Sequence, residues 1–406
     1  MKRVVITGMG IWSCIGQDLK TVTENLKQGK SGIIFDSKRV EYGLHCGLIG
    51  NVPRPNLKPI LERRFRVNMQ ELSEYAYMAA QEAFETAKIS QDYRIQNEIG
   101  VIFGSGCSSV GFDAMCDVMR KEKDSLMVGP SAIFQGDASH VTMNLATIFG
   151  LRGINMSLAA ACTSSNHAIG VGTMFIRSGM QSMVLVGGAM ETSPINAVGE
   201  DAIEALSLNN ENPQQASRPF DKDRDGLIPS GGAAALILEE YEHAMARGAA
   251  IYGEIAGYGF SSNGTDTIAA PNSESEYRAM ANALKDAQMT PEQIDLINPH
   301  AASTQIGDRE EAFAIKKLFG EYRPWVTSTK SMTGHEGWAA GACETVYSLL
   351  MMHNNFVAPT INLENVDECA KGLKIAHKAE PAIINSILNH STGLGGTNSA
   401  LIIKKI

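Results

Sequence analysis

The segment NMSLAAACTSSNHAIGVGTMFIRSGMQSMVLV (residues 155–186) decides the fold class. Asn155–Leu158 reads as a short strand. It passes through small residues into a helix-like stretch and leaves through a second strand at Met183–Val186. A similar unit recurs downstream, where the strand Trp325–Ser328 leads through a Gly/Ala-rich helix to Asn354–Ala358. Each half also opens on a Gly-ended strand, Val4–Gly10 and Tyr252–Gly259. Two related α/β halves are therefore expected to meet near residue 250, one spanning 1–250 and the other 251–406.

Working outward, Val4–Thr7, Ile99–Phe103, Ala235–Leu238, Ile294–Asn298 and Ala400–Ile403 are further short apolar strands. Gln70–Thr86, Glu274–Ala287, Arg309–Phe319 and Ala339–His353 carry apolar residues every three or four positions and read as helices. A helix over Glu239–Gly248, stopped by its Gly, closes the first half. Strands alternating with helices predict sheets buried on both faces. Small-residue runs at Ile228–Leu236 and Gly337–Ala342 let the layers approach closely.

The chain has 406 residues, with Lys plus Arg 35 against Asp plus Glu 44, a formal charge of −9. With 44 % hydrophobic and 19 % charged residues it is not a disordered chain. The acidic balance argues against a general nucleic-acid binder. No apolar run reaches the ~18 residues a membrane span requires. The opening MKRVVITGMG is too short and Gly-rich for a signal peptide, so a cytoplasmic enzyme is expected. Seven Cys is an odd number, and no CxxC pair or His/Cys zinc spacing occurs, so neither a disulfide framework nor a structural metal is expected. Gly8-Met9-Gly10 follows a strand but lacks the third Gly and the acidic partner of a dinucleotide loop.

Cys162 stands where a strand ends in small residues and Thr-Ser-Ser-Asn begins a helix. The positive end of that helix is expected to lower the thiol pKa. The other six Cys read as inert structural thiols. His300, in Asn298-Pro-His-Ala-Ala-Ser-Thr304, follows an apolar strand, and His335 follows a strand end and Gly334. Strand ends of such sheets are where sites form. A Lys330 drawn into this site needs a carboxylate, and Asp308 or Glu311 is the candidate. Asn389-His-Ser-Thr-Gly-Leu-Gly-Gly-Thr-Asn398 offers backbone N–H groups that can approach a ligand closely.

With these blocks in hand, the chain resembles the β-ketoacyl-acyl carrier protein synthases of the thiolase superfamily, synthase I type, over essentially its whole length. VVITGMGIWS, AACTSSNHAIG, DKDRDGLIPSGG, NPHAASTQIGD, STKSMTGH and GLGGTNSALIIKK occur in that family's order. The resemblance implies a five-layered αβαβα thiolase fold built from two pseudo-repeats, in a homodimer, with a heterodimer as the alternative. It implies an acyltransferase of fatty-acid synthesis. An acyl group would pass from acyl carrier protein to Cys162 and then be extended by two carbons through decarboxylative Claisen condensation with malonyl carrier protein. His300 and His335 would promote decarboxylation. The N–H groups of Cys162 and Leu394 would form the oxyanion hole, and Lys330 paired with Glu311 would hold the His loops. Thr304, Thr392 and Leu394 would meet the substrate. No metal or resident cofactor is implied, because phosphopantetheine arrives on the carrier protein. Arg63, Arg64, Arg66, Arg120, Lys121 and Lys123 are the basic residues to which an acidic carrier protein would dock.

The sequence departs from the family at three motifs. Ala302 replaces a Thr of His-Gly-Thr-Ser-Thr. Gly334-His-Glu-Gly-Trp-Ala-Ala-Gly341 replaces Gly-His-Ser-Leu-Gly-Ala-Ala-Gly. Thr392 and Leu394 replace both Phe of Asn-Ser-Phe-Gly-Phe-Gly-Gly. A dedicated ketosynthase of a type II polyketide or aryl polyene pathway is the rival expectation. A non-catalytic chain-length-factor partner lacks the nucleophile, and a degradative thiolase needs a second Cys, which residues 389–398 do not contain.

Overall fold

The computed structural model describes residues 1–264, 268 and 270–406. The apolar runs become eleven strands of one sheet. They are β1 (Val4–Trp12), β2 (Gly100–Gly104), β3 (Asn155–Leu158), β4 (Met183–Met190), β5 (Gly232–Glu240), β6 (Gly253–Ser262), β7 (Leu296–Asn298), β8 (Trp325–Val326), β9 (Lys374–Ile375), β10 (Ser386–Gly393) and β11 (Thr397–Lys404). Their spatial order is β9-β8-β7-β10-β11-β6-β1-β5-β4-β2-β3. From edge to centre the first half runs β3-β2-β4-β5-β1, and β8-β7-β10-β11-β6 repeats that order. The orientations repeat as well, two parallel pairs followed by two antiparallel ones in each half. The halves are joined by a short antiparallel seam, Val5 against Glu254 and Ile6 against Gly253.

Five helices complete the layers: α1 (Glu71–Thr86), α2 (Ser164–Arg177), α3 (Ser273–Ala287), α4 (Gln305–Phe319) and α5 (Ala340–Asn354). α1 covers one face of β1, β5 and β4, while α3 covers β6, β11 and β10 and packs on α4. α2 and α5 pack on each other between the half-sheets, α2 against β2 and β4, α5 against β10 and β5. Every residue of α5 from Ala340 to Met352 is buried, as a helix in a central layer requires.

The two outer helices lie close to their strands through the same device. A Cβ on Gly8 would stand 2.3 Å from the Ala83 carbonyl oxygen, and one on Gly10 would stand 2.1 Å from that of Ala79. In the second half, a Cβ on Gly257 would stand 2.2 Å from the Ala283 carbonyl oxygen, and one on Gly259 2.2 Å from that of Ala279. Gly-X-Gly on the strand thus meets alanines at i, i+4 on the helix in both halves, with Ala87 and Ala287 one turn further on.

Two expectations are corrected. The helix expected over Glu239–Gly248 is confined to Tyr241–Ala246, and Glu239 and Glu240 belong to β5. Pairing with Val4 on one side and Met183 on the other extends the strand. The buried Glu239 carboxylate is satisfied there by Thr7 Oγ1 at 2.7 Å, Arg247 at 2.7 Å and His243 Nδ1 at 2.6 Å. Asn354–Ala358 is not the second-half counterpart of β4, a position β10 takes. α5 runs to Asn354, Asn355 turns the chain with φ +52°, and Phe356–Val357 pairs only with Glu380–Pro381, off the main sheet.

Overpacking at a backbone contact cannot relax cheaply, so Gly10→Ala and Gly259→Ala should each lower the unfolding free energy by about 1–3 kcal/mol. Gly199→Ala, whose Cβ would meet nothing within 4 Å, should stay within about 0.5 kcal/mol of the parent. Urea titration followed by circular dichroism checks all three, and equal stability across the set would contradict the packing argument.

Candidate active site

Cys162 sits on a tight elbow between β3 and α2. Ala161 before it takes a left-handed conformation, φ +48°, which costs a non-Gly residue on the order of 1–2 kcal/mol. Hydroxyls stitch the elbow together. Thr163 Oγ1 donates to the Ala160 carbonyl at 2.6 Å, Ser164 Oγ donates to the Ala161 carbonyl at 2.6 Å, and Ser164 Oγ accepts the Ala160 N–H at 2.8 Å. The Gly-rich turn after β10 closes over it, since a Cβ on Gly393 would stand 3.1 Å from the Ala160 carbonyl oxygen. Thr397, where the turn re-enters β11, bonds His167 Nε2 at 3.1 Å.

His300 follows β7 and His335 lies nine residues beyond β8. The His300 N–H donates to Glu311 Oε1 at 2.7 Å and the Ala301 N–H to Glu311 Oε2 at 2.6 Å. His335 is held by its backbone, its N–H on the Ile228 carbonyl at 2.8 Å and its carbonyl on the Ser230 N–H at 3.0 Å. The two imidazoles stand with ring centroids 5.0 Å apart and planes at 84°. One ligating atom from each of Cys162, His300 and His335 lies within 4.8 Å of the other two. A sulfur and two imidazoles brought from three separated segments thus meet at one point. Among the described residues, both His335 ring nitrogens and His300 Nδ1 lack protein partners.

Electrostatics set their protonation. Burial, with the Lys330 charge second, holds His335 down at about 3, and the same two causes hold His300 well below the usual imidazole range. Both are neutral at pH 7. Burial pushes the Cys162 thiol up to about 12, aided by the Glu200 charge and opposed by the Leu394 N–H, Lys330 and its own N–H. This overturns the expected lowering. A helix N-terminus contributes about 0.3–1 kcal/mol, under one pKa unit, and cannot offset that desolvation.

Lys330 is buried beneath the site, but its partner is not the expected Glu311 or Asp308. Its Nζ contacts the Glu344 carboxylate, which α5 delivers fully buried. Glu311 is occupied by the His300 turn and by His390 Nδ1 at 2.5 Å. Asp308 lies 3.7 Å from Arg224 and accepts the Phe220 and Thr304 N–H groups, at 2.9 and 3.1 Å. Thr304 caps α4, its Oγ1 accepting the Gly307 N–H. Thr392 is half-buried with Oγ1 on Asn398, and Leu394 is 59 % exposed at the turn. Arg63, Arg64, Arg120, Lys121 and Lys123 are exposed and Arg66 half-buried. Arg64 pairs with Glu62, Arg120 with Asp117 and Lys121 with Glu122.

Sequence reasoning missed Glu344, Glu200 and His390. Glu344 was detectable, because it is the one acidic residue of the mostly apolar helix AGACETVYSLLMMHN and so calls for a buried partner. Glu200, in the helix Pro194–Ala202, carried no such mark, since Glu191, Asp201 and Glu204 lie around it.

A family model described as "Beta-ketoacyl synthase, N-terminal domain" matches residues 1–244, and one described as "Beta-ketoacyl synthase, C-terminal domain" matches residues 252–364. The chain is 42 % identical over 408 residues to the Haemophilus influenzae protein named 3-oxoacyl-[acyl-carrier-protein] synthase 1, covering all of this chain and 99 % of that protein. It superposes with a TM-score of 0.95 on a crystal structure of a β-ketoacyl synthase from Burkholderia phymatum, at 34 % identity with both chains fully covered. It also superposes, at 0.89 and 28 % identity, on the ketosynthase complex AntDE:AntF, covering all of this chain and 99 % of that one. That complex is described as a type II PKS acyl-carrier protein with its ketosynthase bound to the hexaketide.

A thiol held near 12 is protonated throughout the neutral range. Iodoacetamide alkylation of Cys162, followed by peptide mass mapping, should therefore rise about tenfold per pH unit between pH 7 and 9. A plateau reached by pH 8 would instead reveal a lowered thiol.

Proposed function

The chain belongs to the β-ketoacyl synthase family and carries that family's α/β thiolase fold, and from this premise we propose that Cys162, His300 and His335 divide a carbon–carbon bond-forming reaction between them. The protein is an acyltransferase, a 3-oxoacyl-acyl carrier protein synthase of fatty-acid synthesis. The meeting of one sulfur and two neutral imidazoles within 4.8 Å of one another is the observation that carries the division of labour.

In the first half-reaction Cys162 sulfur attacks the acyl thioester carbonyl. The oxyanion is received by the N–H groups of Cys162 and Leu394, and the sulfhydryl proton ends on the departing pantetheine thiol. In the second, malonyl carrier protein loses CO₂. The electron pair of the broken C–C bond becomes an enolate whose oxygen accepts N–H donation from His300 and His335. The enolate carbon attacks the acyl carbonyl, and collapse expels Cys162 as thiolate, which takes up a proton from water, leaving a 3-oxoacyl chain two carbons longer. Imidazoles of depressed basicity suit this work, because each offers an N–H donor while remaining a poor base for the proton of the thiol. The proposal needs no resident metal or cofactor.

Acyl carrier protein is the partner. Its docking to Arg63, Arg64, Arg66, Arg120, Lys121 and Lys123 is supported by the exposure of five of the six. A homodimer is supported by the unpaired outer edge of β3 and by exposed Phe112, Leu126 and Ile133 on the segment 109–136. A cytoplasmic setting is supported by seven free cysteines. Among the described residues no helix is long and apolar enough to cross a membrane. A second reading, a dedicated ketosynthase of a polyketide or aryl polyene pathway, is favoured by Thr392 and the exposed Leu394, where the family carries Phe gates.

Cys162→Ala should abolish the acyl adduct seen by intact mass with acyl carrier protein thioesters, and a persisting adduct refutes its role. His300→Ala and His335→Ala should slow malonyl decarboxylation by about 10²–10³-fold while sparing acylation, and equal losses in both half-reactions refute the division of labour. Across a panel of saturated, hydroxylated and aryl-polyene thioesters, a preference for aryl chains selects the second reading. Sedimentation velocity should find twice the chain mass, and a monomer contradicts the dimer.

A further inference from the structure

One buried imidazole has no part in that scheme. His390, on β10, is fully buried. Its Nδ1 lies 2.5 Å from Glu311 Oε1, the same oxygen that accepts the His300 N–H at 2.7 Å. The second oxygen of Glu311 accepts the Ala301 N–H at 2.6 Å, and Ser328 Oγ donates to the Ala301 carbonyl at 2.7 Å. Glu311 comes from α4, His390 from β10 and His300 from the turn after β7, so three elements meet at one carboxylate. The carboxylate holds the His300 turn from one side and is itself held by His390 from the other.

His390 Nε2 has no partner among the described residues. A carboxylate oxygen accepts, so the contact with Glu311 Oε1 assigns a proton to Nδ1. An Nδ1–H fixed on Oε1 limits rotation of the carboxylate, and with it the position of two main-chain N–H groups. Among the described residues His300 has no other hold on its backbone N–H, and its ring leaves Nδ1 unpartnered. Its aim therefore follows its backbone.

We propose that His390 is a positioning residue for the decarboxylation half-reaction: its Nδ1–H orients Glu311, which fixes the His300 turn and so directs the His300 ring at the thioester oxygen. This rests on the condensing reading given above. Cys162 is carried by β3 and α2 and makes no bond to His390 or Glu311. The backbone of β10, which leads to Leu394, is fixed by its ladder to β11, His390 against Ala400, whatever side chain position 390 carries. Acyl transfer therefore does not depend on this imidazole.

The test compares His390→Ala with His390→Asn, whose side-chain amide can place an N–H where Nδ1–H stood. Two rates are read by intact mass: Cys162 acylation from octanoyl-acyl carrier protein, and loss of CO₂ from malonyl-acyl carrier protein. Thermal melting is the check on folding. His390→Ala should lose decarboxylation by about 10²-fold, the penalty for a misplaced group, with acylation within about threefold of the parent. His390→Asn should recover decarboxylation to within about tenfold of the parent. Unchanged decarboxylation in His390→Ala, a parallel loss of both rates, or a folded His390→Asn as slow as His390→Ala each overturns the role of His390 while leaving the condensing reading standing. A parent that performs neither half-reaction overturns both.

Discussion

Lys330 is 1 % exposed beneath the site, and its charge reaches Cys162, His300 and His335 together. For the thiol, a nearby cation favours the charged form; for the imidazoles, it disfavours it. One ammonium group thus acts in the useful direction on both kinds of group, easing thiolate formation and forbidding imidazolium. Its burial is tolerable only because α5 supplies Glu344 from the other side, and α5 supplies it only as the central layer between the two half-sheets. The layered fold and the protonation states of the site are in this sense one arrangement.

Much of the fold was legible. The strand at Ile99 and the helices at Gln70 and Glu274 lie within a residue of where period and composition put them, and the strands at Val4, Met183, Ala235 and Ala400 contain the expected runs but extend beyond them by three to five residues at one end. The repeat was visible as Gly-ended strands, and the coordinates give the reason, since those glycines are where helix backbone lies against strand backbone. Failures came where tertiary pairing overrode local pattern. Glu239 and Glu240 look helical beside His243 and Arg247, yet strand partners on both sides hold them extended. Asn354–Ala358 has strand composition but no room in the main sheet.

The site was legible in its reacting atoms and less so in its supports. Cys162 and His300 follow strand ends and His335 follows Gly334 beyond the short helical turn Lys330–Thr333, all with small neighbours, a pattern a sequence displays. The partner of Lys330 is a question of distance across layers, and Glu311 and Glu344 are equally acidic on paper. The thiol pKa was misjudged because a helix terminus can be read from residues 163–166, whereas the desolvation that outweighs it depends on what covers residue 162. His390 escaped notice because its value lies in what Glu311 touches.

The seam between β1 and β6 is only two residue pairs long, with Arg3 bonded to Glu254 at its margin. Yet it makes a single sheet of two arrays that repeat one another in strand order. Because α2 and α5 press together between the half-sheets, severing the chain at this seam would bare the apolar face of one central helix in each half to water, so neither half keeps a closed core without the other.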